Sequence, residues 1–191
     1  SMIPAIILGV AGAYFGGLFD YVTQRVVDAV QAIPGLILLI AIMIVLGPSL
    51  FNVVIALSVG NIFRNSRVVR GAALGIFNNS YFDAARVIGA SPLRVMFRHM
   101  LPNIVPTIIV VASLGFGQLI IAEASVSFLG YGIQPPTPSW GNMLSADGRA
   151  YMYAQPWMLA APALALALVV FGVNMFGDAV RDLIDPRLRG S

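Results

Sequence analysis

The chain has 191 residues, 59% of them hydrophobic and 10% charged, with a mean hydropathy of +0.88. A water-facing domain carries about a quarter charged residues, so a wholly soluble fold is excluded and lipid must be part of the solvent. All eleven basic residues are Arg, there is no Cys and there is one His, which removes a disulfide framework, thiolate metal sites and a His-based metal cluster.

In chain order, Ser1-Met2 reads as a cut chain end without a signal-peptide pattern, and at least one further span is expected upstream. The run 2–19 is uncharged and forms a first predicted span, with Gly12 and Gly16 as a GxxxG pair for close helix approach. The next uncharged run, 29–63, would measure about 52 Å as one helix, too long for a hydrocarbon core of about 30 Å. Gly47-Pro48-Ser49 is a turn signal inside it, so two spans are predicted, 29–46 and 50–70. Pro34 is expected to bend the first of them. A cytoplasmic segment, 80–99, precedes a fourth span at 100–124. A loop at 125–155 leads to a fifth at 156–178, which Pro162 is expected to bend. The prediction is an all-α polytopic membrane protein of about five helices in one domain, 1–191.

The Arg residues sort by side. Arg25 lies between spans one and two. Arg64, Arg67, Arg70, Arg86, Arg94 and Arg98 cluster around the third connection, and Arg181, Arg187 and Arg189 follow span five. With alternating spans these all fall on one face and only Arg149 on the other. The positive-inside rule then puts the 64–99 connection and the C-terminus in the cytoplasm and the 125–155 loop outside. Orientation accounts for the net charge of +3, and no nucleic-acid reader module is visible.

The segment Ser80 to Pro102 carries the most specific pattern. Ser80 is placed as an N-cap with Asp83 at N3, as in a capping box. Gly89 ends that short helix in a left-handed conformation. Ser91 caps a second helix that has Pro92 at its first position, and Leu101-Pro102 leads into span four. Tyr81, Phe82, Val87, Ile88 and Phe97 stand among Arg86, Arg94 and Arg98, an apolar content suited equally to a membrane interface or a docked partner.

Asp83-Ala84-Ala85, then Gly89, then Leu101-Pro102, resembles at full spacing the Glu-Ala-Ala motif of ABC-importer permeases, with Asp83 in place of Glu and His99 in place of Ile. The run Ala122 to Gly141, the stretches Gly16-Gly17 and Ile33-Pro34-Gly35, and the ending Gly177-Asp178, Arg181-Asp182 and Asp185-Pro186-Arg187 resemble the dipeptide/oligopeptide/nickel branch of that family. The resemblance implies the type I ABC-importer transmembrane fold. It implies a coupling helix in which Asp83, Ala84, Ala85, Gly89, Ser91, Pro92, Leu101 and Pro102 engage an ATPase. The implied partners are a homologous second permease subunit, two ATP-binding subunits and an extracytoplasmic substrate-binding protein. The implied function is translocation of di- or oligopeptides across a bacterial or archaeal inner membrane by alternating access, with nickel or another small solute as the alternative cargo.

Glu123, Ser125, Gln134 and Trp140 are candidates for the translocation path or for outer-loop contacts. Glu123, near the outer end of span four, suits either a water-filled vestibule or a hydrogen bond to the loop. Asn174 and Asp178 share a helical face, and Asp178 can pair with Arg181. Without Lys there is no P-loop, so no cofactor is expected in this chain, and ATP and Mg belong to the partner subunits. No nucleophile elbow is present, and the expectation is a non-catalytic subunit. An ion-coupled secondary transporter would need coupling groups in mid-span, where the sequence is nearly free of them.

Overall fold

A computed structural model of the chain describes residues 1–77, 82, 85, 87–145 and 153–184. Its elements are helices α1 (Met2–Phe15), α2 (Gly17–Gln31), α3 (Gly35–Leu46), α4 (Leu50–Phe77), α5 (Pro92–Phe128), the short α6 (Trp140–Met143) and α7 (Trp157–Ile184). The described residues contain no strand. They form two compact units. The first comprises the described residues of Ser1–Ala32, Asn61–Ala112 and Ile184–Ser191, and the second those of Ile33–Gly60 and Ser113–Leu183.

Several helix boundaries differ from the sequence prediction, each for a local reason. The first span does not run to residue 19, because Gly16 (φ 59°, ψ −152°) breaks the chain after Phe15. The following residues form a separate helix with Asp20, Arg25 and Asp28 on it. Pro34 does not bend a helix. It sits in an extended conformation just before α3, where a residue without N–H is harmless. The third predicted span, α4, continues past residue 70 to Phe77.

The helix beginning at Pro92 is continuous with the predicted fourth span and ends at Phe128, so 125–128 are helical rather than loop. Its Val95–Met100 stretch is a π-helix, and the Leu101 N–H bonds to Met96 O. Pro102, next in line, has no N–H for the i−4 carbonyl, and a widened turn is one way for a helix to absorb that loss.

By length and composition, α5 and α7 can each cross a membrane alone, and α2 with α3 passes only as a broken pair. α1 is apolar but shorter, about 21 Å at 1.5 Å per residue. α4 carries Asn52, Asn61, Arg64, Arg67 and Arg70, which dilute its apolar character. The five predicted spans are thus unequal.

In the first unit, α1 approaches α4 through Gly9, where an added Cβ would lie 2.7 Å from Ser66 O and 2.8 Å from Val69. Gly12 leaves room for a carboxylate: its Cβ would lie 3.0 Å from Asp20 Oδ1. The close-approach pair is therefore Gly9 and Gly12. Gly16, the expected second member of a GxxxG pair, faces open space and serves the chain break instead.

Under Gly12 the Arg70 fork meets Asp20, Nε to Oδ1 at 2.5 Å and Nη2 to Oδ2 at 2.5 Å. Arg67 binds Asp28 and, at 3.2 Å, Gln31 Oε1. α2 is thereby fastened along α4 by one sheltered pair, its side chains 16% and 27% exposed, and one open pair at 46% and 43%. A bidentate pair withdrawn from water is worth more than an exposed one. Asp20→Asn should cost about 1–3 kcal/mol, and Asp28→Asn less than about 1 kcal/mol. Thermal unfolding in detergent should show the larger drop for Asp20→Asn.

Candidate functional site

Two places gather the predicted site residues, one in each unit. In the first unit, Phe82, Ala85 and Val87 are helical, and Gly89 follows with φ 79°. The Ala90 N–H bonds back to Ala85 O at 3.0 Å, the six-to-one closure that a left-handed Gly permits. Ser91 then caps α5, its hydroxyl accepting from the Arg94 N–H at 3.4 Å, with Pro92 at the first position. Two helix ends are thus joined through Ala90 by locally satisfied caps. Asp83 and Ala84, central to the predicted coupling role, lie outside the described residues, as does the Ser80 cap.

The turn has a sharp division of surface. Phe82, Ala85, Val95, Met96 and Met100 are buried with Val10, Ala13, Val69, Ala73 and Ile104 in one apolar cluster. Rings continue the contact: Phe82 to Phe77 at 6.0 Å and Phe77 to Tyr14 at 6.1 Å. At the tip the opposite holds. Val87 is 87% and Ile88 83% exposed, and Leu93 and Phe97 are exposed beside them. Gly89, Ser91, Pro92 and Pro102 are exposed as well, and Leu101 is half-buried against the cluster. His99 is half-buried, and its carbonyl accepts from Asn103 Nδ2 at 2.6 Å. An apolar tip on a buried root suits a partner surface: the tip gains on association and the root prevents it from folding away.

In the second unit the loop 129–145 is fastened to the end of α5. Ser127 is fully buried. Its hydroxyl donates to Glu123 Oε1 at 2.7 Å and accepts from the Ile133 N–H at 3.2 Å. Asn142 Nδ2 donates to Ile133 O. Ile133 itself packs with Leu39, Met43, Val53, Ala56 and Val126. Gly132 and Gly141 lie against Ser127 and Ala124 so closely that neither can carry a Cβ. α6 is capped by Ser139, whose hydroxyl accepts from the Asn142 N–H at 3.2 Å.

The four predicted path residues do not converge. Glu123 accepts from Ser127 of its own helix, and Ser127 rather than Glu123 bonds the loop. Ser125 Oγ donates to Ile121 O of its own helix at 2.7 Å, and Gln134 Nε2 to Gly130 O at 2.8 Å. Trp140 lines an open, mostly apolar groove of about 660 Å³ together with Pro135, Pro138, Met143, Trp157 and Pro162. Sequence reasoning missed Ser127 and Asn142. The only sequence signal for them was the pair Gly132 and Gly141, which mark backbone close to something polar. Farther along, Asn174 packs on Gly117 of α5, while Asp178 is exposed and makes no ion pair with Arg181.

The described geometry is that of an all-helical membrane protein with a rooted apolar turn and a bonded loop. The family of binding-protein-dependent transport system inner membrane components matches residues 5–190, and the chain belongs to it. The di/tripeptide transport system permease protein DppC of Pseudomonas aeruginosa is 39% identical over 191 residues, 100% of this chain and 63% of its own length. The dipeptide transport system permease protein DppC of Alkalihalophilus pseudofirmus is 39% identical over 189 residues, 99% of this chain and 62% of its own. The glutathione transport system permease protein GsiD of an Escherichia coli strain is 42% identical over 177 residues, 93% of this chain and 58% of its own. The chain spans less than two thirds of the length of these curated relatives.

Ser127→Ala in the full-length permease removes the acceptor of a buried N–H, at about 1–3 kcal/mol. Amide exchange at Ile133 and its neighbours should speed up by about tenfold or more, while amides of α1 keep their protection.

Proposed function

We propose that the chain is the pore-forming part of a permease in an ATP-driven importer of di- or oligopeptides. It works with a homologous permease subunit, two ATP-binding subunits and an extracytoplasmic substrate-binding protein. The observation that carries this reading is the turn around Gly89, with an apolar tip, a capped backbone and a root in the core of its unit. The ATPase grips the tip, and closure of the nucleotide sites pushes the root. The Asp83-Ala84-Ala85 triplet, Gly89, Ser91, Pro92, Leu101 and Pro102 make up the coupling segment, on the cytoplasmic side with the C-terminus. The peptide cargo is supported by the names of the relatives, two of which are di- or tripeptide permeases and one a permease for glutathione, itself a small peptide.

No covalent chemistry is assigned to this chain. ATP and Mg are bound by the partner subunits, and the permease contributes alternating access. The 129–145 loop faces outward, where its Ser127 and Asn142 bonds hold it as a firm surface for the binding protein.

Co-purification with the neighbouring ATPases, followed by peptide-stimulated ATP hydrolysis in liposomes, tests the reading. A sharper test is Gly89→Pro. Proline fixes φ near about −65° and cannot take the positive φ of this turn. The variant should insert in the membrane at normal levels, hydrolyse ATP without peptide dependence and lose most uptake. Normal uptake by Gly89→Pro would remove the turn from the mechanism.

A further inference from the structure

α2 covers what was predicted as the end of span one, a connection and the start of span two, and its surface suits neither a span nor a loop. At 3.6 residues per turn, Leu18, Phe19, Val22, Val26 and Ala29 fall within about 100° of one another, and all five are exposed. The opposite side of α2 faces its own unit through Asp20, the fully buried Val27 and Gln31. Asp20, Asp28 and Gln31 are thus engaged by Arg70 and Arg67, while the apolar arc faces out. At the edge of the arc Arg25 lies over the Tyr21 ring, 4.9 Å from its centroid, and 3.3 Å from Asp28.

The arc continues a second surface. On α1, Ile3, Ile7 and Phe15 form an exposed stripe on a helix that carries no charge, a surface suited to lipid in a membrane component. Phe15 contacts Phe19 edge-on, ring centroids 5.9 Å apart, so the stripe passes through the Gly16 break into α2 without a polar gap. Tyr and Arg at the margin of an apolar arc are the groups that sit at headgroup level, with ring or stem in the apolar layer and the polar end in water.

We infer that α2 is an interfacial helix, its Leu18–Phe19–Val22–Val26 arc embedded in the boundary between lipid headgroups and acyl chains and its Asp20 and Asp28 face held by α4. The depth typical of such helices is about 5–10 Å into that boundary. The two ion pairs then have a mechanical meaning. They attach α4, the helix that ends at Phe77 just before the coupling segment, to an element floating on the membrane surface. The inference does not rest on the cargo or on the ATPase.

The test uses the full-length permease in its assembled transporter, reconstituted in liposomes with neither ATP nor peptide. Nitroxide labels go on Val22→Cys and Val26→Cys in a cysteine-free background, with Leu18→Cys as a replacement should either variant fail to assemble. Collision with oxygen, which concentrates in lipid, is compared with collision with a water-soluble nickel chelate. The expected result is oxygen collision several-fold above chelate collision at each arc position. Equal shielding from both probes would show that a protein surface covers the arc. Dominant chelate collision would show that it faces water. Either result overturns the inference and leaves the peptide-import reading to its own experiments.

Discussion

The structure of the first unit depends on one constraint: the turn at Gly89 cannot retract into the chain that carries it. Val95 and Met100 on one arm and Phe82 on the other are essentially inaccessible to solvent. Each fully buried side chain of this kind stabilises its position by about 1.5–3 kcal/mol. Close-packed interiors shift as blocks rather than deform locally. A push on Val87 or Ile88 is therefore delivered to Val69 and Ala73 of α4 and to Val10 and Ala13 of α1 through the cluster they share. The rings of Phe82, Phe77 and Tyr14 form a second route.

Polar groups in this apolar chain are arranged so that few need water. Asp20 and Arg70 neutralise each other in the space left by Gly12. Ser127 serves as donor to a carboxylate and acceptor for a backbone amide at once. Asn52 closes the α3–α4 turn through the carbonyls of Leu46 and Gly47, at 2.7 and 2.9 Å. Each spares a group that would be expensive to leave unpaired away from water. Among the described residues, no buried side-chain nitrogen or oxygen lacks a partner. This satisfaction makes the 129–145 loop and α2 definite surfaces rather than loose connections.

Much of the fold was legible because its signals are local. Gly47-Pro48-Ser49 announced the turn between α3 and α4. Ser91-Pro92 announced the start of α5, and Gly89 the end of the helix before it, because cap chemistry acts within a few residues. The family was legible because the Asp-Ala-Ala, Gly and Leu-Pro spacing is long and specific. Features that depend on distant residues were not legible. Whether Gly12 pairs with Gly9 or Gly16 is decided by where Ser66 and Asp20 come to lie. Glu123 alone left a vestibule and a loop bond open, and only the placement of Ser127 shows that Glu123 accepts from Ser127, which in turn holds the Ile133 N–H of the loop. The amphipathic character of α2 was hidden because Asp20 and Asp28 look like loop charges until Arg70 and Arg67 are seen to take them.

The central proposal, that an ATPase grips the apolar tip, is tested most directly by a photo-crosslinking amino acid in place of Ile88 in the assembled transporter. The account predicts a dominant adduct with the ATP-binding subunit, formed from the cytoplasmic side and changed in yield when nucleotide is bound. Adducts confined to lipid, or to the binding protein outside the cell, would contradict it.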